Sequence, residues 1–141
     1  MLKIDFKTNR LENDPDYGKT NPQFEIDVGC IRLDDFINRE SIKKIDLLCI
    51  DLQGYELNAL KSLGEYVHNV KYIITECSIT STYENGTSYK DLHDYLLKFN
   101  FKYICSNRFK YKIPDLSIKG FSEFDALFVN NSIRDIDQFD I

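Results

Sequence analysis

Ile45-Asp46-Leu47-Leu48-Cys49-Ile50-Asp51-Leu52-Gln53-Gly54-Tyr55-Glu56-Leu57-Asn58-Ala59-Leu60-Lys61 is the stretch on which the fold turns. Residues 45–50 are apolar except for Asp46, and so short and continuous a run reads as a strand covered on both faces. Asp51 closes it. Gly54 then opens a pattern in which Tyr55, Leu57, Leu60 and Leu63 recur at helical spacing until Gly64 stops it. Strand, tight turn and helix make one βα unit.

Downstream the pattern repeats. Tyr72 to Cys77 reads as a second strand, Ser78 to Gly86 as a long polar loop, and Ser88 to Phe99 as a helix with Leu92, Tyr95, Leu96 and Phe99 on one face. Ser88 with Asp91 three residues on has the form of a capping box. Phe101 to Cys105 and Phe124 to Val129 complete the strands, joined by a Lys/Arg/Tyr-rich connection; with no helix-length pattern between them, an antiparallel hairpin at the sheet edge is expected. Cys49, Cys77 and Cys105 recur every 28 residues, about one βα repeat. The period favours stacked βα units in an α/β fold.

Upstream, Leu33 to Ile37 with Ile42 has helical spacing and Asp34 as a candidate cap. Residues 1–30 read as an irregular arm with two short candidate strands, Leu2 to Phe6 and Gln23 to Val28, between dense turn residues. The expected organisation is a single domain over 1–141, with residues 31–141 as its α/β core.

With 43% hydrophobic and 13% aromatic residues over 141 positions, the chain can bury one core. A net charge of −5 and the lack of a broad basic cluster argue against nucleic acid as partner. No apolar run approaches the ~20 residues that span a bilayer, and the start of the chain is too polar for a signal peptide, so a soluble, cytoplasmic protein without membrane contact is expected. The cysteines lack metal or redox spacing and read as buried, reduced thiols. His68 and His93 read as ordinary helix or surface residues. Tyr103 to Tyr111, interleaved with Arg108 and Lys110, reads first as an exposed amphipathic hairpin, with stacking on a sugar or base as the alternative.

Ligands of open α/β sheets bind at the carboxyl ends of the strands. Asp51 and Glu76 stand at such ends, and Gln53 and Glu56 follow Asp51 within one turn. An acid beside a helix N-terminus gains ~0.3–1 kcal/mol from the helix dipole and needs no catalytic role, which is the plain reading of Glu56. Asp51 and Glu76 are harder to explain so, because a carboxylate in an apolar setting costs desolvation unless a partner offsets it.

The quoted stretch resembles the signature of the FkbM methyltransferases, in which a strand ending Ile-Asp-Val-(Glu/Gln)-Gly-x-Glu leads into a helix. Ile31 to Ile37 resembles the family's Thr-Leu-Asp-Asp-hydrophobic segment, and Ile73-Ile74-Thr75-Glu76 its next strand; the likeness runs over about residues 28–130. It implies a partial Rossmann-like class I methyltransferase fold, with a mostly parallel sheet closed by the antiparallel hairpin. It also implies methyl transfer from S-adenosylmethionine to a hydroxyl of a sugar or similar small acceptor. Asp51 and Glu76 would be catalytic, Asp51 as general base or as ligand to an activating divalent ion, with Gln53 and Glu56 binding substrate. Gln53 replaces the commoner Glu and removes an anionic ligand, so no metal is assigned.

The glycine-rich turn that would hold the donor is not found: the glycines are too scattered, and too little chain precedes Leu33 for two βα units. The donor half is therefore expected to be missing. The strand ending at Asp51 would then expose an edge, to be covered by the N-terminal arm, a homodimer or a completing chain. The alternative is a catalytically inactive remnant serving as a binding or assembly module.

Overall fold

A computed structural model describes residues 26–81, 83–117 and 123–133. Helix α1 spans Leu33–Arg39, strand β1 Ile45–Ile50 and helix α2 Glu56–Lys61, followed by a 3-10 segment at Gly64–Asn69. Strand β2 spans Val70–Ser78, helix α3 Tyr89–Leu97, and strands β3 and β4 Phe101–Ser106 and Glu123–Asn130. Among the described residues no helix is long and apolar enough to cross a membrane.

The sequence cues explain most boundaries. Ser88 accepts the Asp91 amide while the Asp91 carboxylate accepts from the Ser88 amide, closing the expected capping box. Such a box stabilises the first turn of α3 by about 1 kcal/mol. Gly64 ends α2 in the left-handed region, φ +55°, which a residue with a Cβ adopts only under strain. At α1 the expectation fails: Arg32 occupies the cap position without a side-chain cap, and Asp34 lies inside the first turn, ion-paired to Arg32 at 2.7 Å.

The four strands form one sheet in the order β1-β2-β4-β3. β1 and β2 are parallel, as a βα unit requires, but β2 pairs antiparallel with β4 and β3 antiparallel with β4. The expected parallel dominance is thus not seen among the described strands. Among the described residues no crossover helix leads from β3 to β4, and β4 runs against both its neighbours, entering between β2 and β3. The hairpin pairing of β3 with β4 is present, with only β3 at the edge.

One face of the sheet carries the core. Ile73, Ala126 and Phe128 are buried there with Leu60, Leu63, Val67, Leu92 and Leu96 of the helical segments. The opposite parity of β1 and β2 points the other way: Leu47 is paired with Tyr72 and Cys49 with Ile74. Leu47 is 51% exposed and Ile74 36%. β1 is therefore not covered on both faces. Its apolar run reflects what the strand is suited to pack against, whether or not that layer is present. The same open face corrects Cys49, which is exposed; Cys30, ahead of the first helix, is exposed too, Cys105 is intermediate and Cys77 is buried, all with free thiols.

Candidate functional site

The turn between β1 and α2 is built around Glu56. Gln53 and Gly54 both have positive φ, 53° and 97°, which curls the chain so that the amides of Leu52 and Gly54 point inward. The Glu56 carboxylate accepts both, at 3.0 and 2.9 Å, and is 2% exposed. Its plain reading from the sequence thus becomes a definite structural one, the clasp of the βα turn.

Beyond the turn, Gln53 bridges the two strand ends. Its amide nitrogen donates to Asp51 at 2.8 Å and to Glu76 at 3.1 Å, while its amide oxygen accepts from the Tyr83 hydroxyl. The 78–87 loop is fastened beside it: the amide and hydroxyl of Thr87 each donate to the Gly54 carbonyl at 2.9 Å. Gly86 permits this tight fold, since a Cβ there would fall 2.0 Å from the Ser81 hydroxyl oxygen. A recess of about 10 Å³, close to the volume of one water, is lined by Gly54, Glu56, Glu76, Tyr83, Thr87 and Glu123 among others.

All four residues expected from the sequence therefore come together. Asp51, Glu56 and Glu76 each place a carboxylate oxygen within 4.8 Å of the others, close enough for the three to hold one cation. Burial pushes the Glu76 carboxyl up to about 7, reinforced by the negative charges of Asp51, Glu123 and Glu56. Two contributors escaped the sequence reading. Tyr83 lies in what reads as a plain polar loop, and Glu123 reaches the site only through the register that sets it opposite Ser78, for which the sequence carries no local signal.

An α/β sheet with acidic and amide groups gathered at the carboxyl ends of two parallel strands is the frame of a small-molecule enzyme or binding domain. The family model described as the methyltransferase FkbM domain matches residues 2–103. The chain belongs to that family. The match begins nearer the N-terminus than the motif resemblance and takes in the arm, whose candidate strands lie outside the described residues except at 26–28. No curated protein and no solved structure matches the chain.

Family membership points to methyl transfer, with S-adenosylmethionine as the general donor. The described residues hold no glycine-rich turn of the kind that binds such a donor: the βα turn nearest the site has its inward amides occupied by Glu56, and no two described glycines lie close in sequence.

Proposed function

We propose that the Asp51–Gln53–Glu76 cluster is the acceptor side of an O-methyl transfer site for a hydroxyl of a sugar or similar small molecule. The observation that carries this reading is the single amide of Gln53 shared by two strand-end carboxylates, one of which titrates near neutrality. An alcohol is a poor nucleophile until its proton is drawn off, and a base serves best when its pKa lies near the working pH. Above pH 7, Glu76 is ionised and takes the hydroxyl proton. Asp51 holds the same hydroxyl as a second acceptor, and Gln53 fixes the spacing of the pair. A divalent cation held by Asp51, Glu56 and Glu76 would serve the same end by acidifying the hydroxyl.

Among the described residues no strand pairs with the outer edge of β1, and this edge together with the exposed Leu47 face supports attachment of a second copy or of a completing chain. The decisive test is Asp51→Asn in an assembly of the chain that transfers labelled methyl to a sugar hydroxyl. Turnover is expected to vanish, while unchanged turnover removes Asp51 from the mechanism. Glu76→Gln separates the two carboxylates: loss of the pH dependence near 7 identifies Glu76 as the base.

A further inference from the structure

We infer that the acceptor carries an anionic group, a carboxylate or phosphate at the far side of the molecule from the hydroxyl to be methylated, and that the loop following β3 seats it. The inference rests on the acceptor reading of Asp51 and Glu76 and adds the class of molecule.

Topology places the loop. β1, β2 and β3 run in the same sense, because β3 and β2 are each antiparallel to β4, so their carboxyl ends share one end of the sheet. Asp125 fixes the level: it is the register partner of Glu76 on one side, and on the other its carbonyl accepts from the Asn107 amide at 3.2 Å. The Asn107 side-chain amide also donates to the Asp125 carboxylate at 2.7 Å. The loop thus leaves β3 level with Glu76 and two strand spacings away, about 10 Å. A substituted sugar ring or a disaccharide bridges that span.

The loop carries charge of the opposite sign to the cluster. Arg108, Phe109, Lys110, Tyr111 and Lys112 line an open depression of about 440 Å³. Among the described residues no ion pair involves Arg108, Lys110 or Lys112, and what sets these three apart from other unpaired lysines is that they line one depression together, with Arg108 over the Phe109 ring at 5.7 Å. Two acids near the loop are held by neutral donors and form no ion pair with it among the described residues: Asp115 accepts from the Ser117 amide and hydroxyl, and Asp125 from Asn107. Uncompensated cations on a chain of net charge −5 are available to an external anion.

The loop is also held in shape. The Tyr103 hydroxyl lies 3.1 Å from both the Lys110 and Lys112 carbonyls and 3.0 Å from the Ser106 hydroxyl. The Ser106 amide donates to the Lys110 carbonyl at 2.8 Å, and the Phe109 amide to the Ser106 hydroxyl at 2.9 Å. Phe109 anchors the base edge-on against Phe124, leaving Tyr111 65% exposed as a face on which a sugar ring can lie. Backbone pinning of this kind reduces the entropy lost when an anion is bound.

The test uses the full isotope-labelled chain, titrated with glucuronate, glucose 6-phosphate and glucose while backbone amide shifts are followed. The two anionic sugars are expected to move the amides of 107–113 together with those of 51–54, and glucose only the latter. Replacing Arg108, Lys110 and Lys112 together by Gln should weaken the anionic sugars about tenfold and remove their salt dependence. Equal binding of glucose and glucuronate, or full affinity in the triple variant, overturns the inference while the acceptor reading stands. Shifts at 107–113 with none at 51–54 for any sugar remove the acceptor reading instead and leave the loop as an anion seat of its own. The loop lies outside the core cluster except for Phe109, which is kept, so the triple variant is expected to fold; an unchanged amide spectrum without sugar verifies this.

Discussion

Gln53 donates its side-chain amide to Glu76 across 3.1 Å, tying the end of β1 to the end of β2 through a neutral group. Gln53→Glu would set another negative charge against Asp51 and Glu76. The Glu76 carboxyl is then expected to titrate above its present value of about 7, read by carbon-detected NMR titration of the side-chain carboxyls. An unmoved or lowered midpoint would show that Gln53 does not govern the pair.

Stability should follow the same carboxyl. Glu76 binds its proton more tightly folded than unfolded, since its folded value of about 7 lies above the 4.5 of a free glutamate. Its contribution is therefore complete below about pH 4.5 and is lost as the pH rises through 7. Solvent screening at this half-buried position limits the effect to the order of 1 kcal/mol. Glu76→Gln should flatten the urea midpoint between pH 5 and 8; a wild-type midpoint that rises across that window because of Glu76 would contradict the assignment.

Glu56 holds two inward amides, and removing it leaves both without an acceptor. Glu56→Ala is expected to cost about 3 kcal/mol in urea unfolding, and Glu56→Gln, which keeps one oxygen, distinctly less. Equal losses in the two variants would mean that the charge, rather than the pair of bonds, matters.

Tyr89 packs its ring among Phe124, Phe128 and Tyr103, but its buried hydroxyl has no hydrogen-bond partner among the described residues. Tyr89→Phe removes an unsatisfied polar atom and keeps the packing, so the thermal midpoint should hold or rise, by up to about 1 kcal/mol of stability. A clear fall would reveal a partner for the hydroxyl.

The β1 edge predicts association. Leu47→Lys places a charge at the most exposed apolar position of that strand, and concentration-dependent sedimentation of the wild-type chain should be reduced in the variant. Identical profiles would show that the edge is not an attachment surface.

The βα units were legible because their signals are local. Ser88 and Asp91 announce a helix start, Gly64 a stop, and Asp51 a strand end, each within a few residues of the feature it marks. Asp51, Gln53, Glu56 and Glu76 could be picked out because strand ends are where α/β sheets gather ligands. What eluded the sequence depends on distant pairings: β4 enters between β2 and β3, which decides both the strand directions and the approach of Glu123. The exposure of Leu47 was hidden for a different reason, since an apolar strand has the same composition whether or not a second layer covers it. The role of Glu56 has no signature in the sequence, because its partners are backbone amides, which no side-chain pattern displays.

The Glu56 clasp has a consequence for selectivity. An anion entering the β1–α2 turn would have to compete for its two amides with a carboxylate tethered two and four residues away, and tethered groups compete at effective concentrations far above those of any dissolved metabolite. The turn is in this sense saturated by its own chain. Anionic ligands are turned away from these amides, which leaves the cationic rim across the sheet as the seat inferred for them.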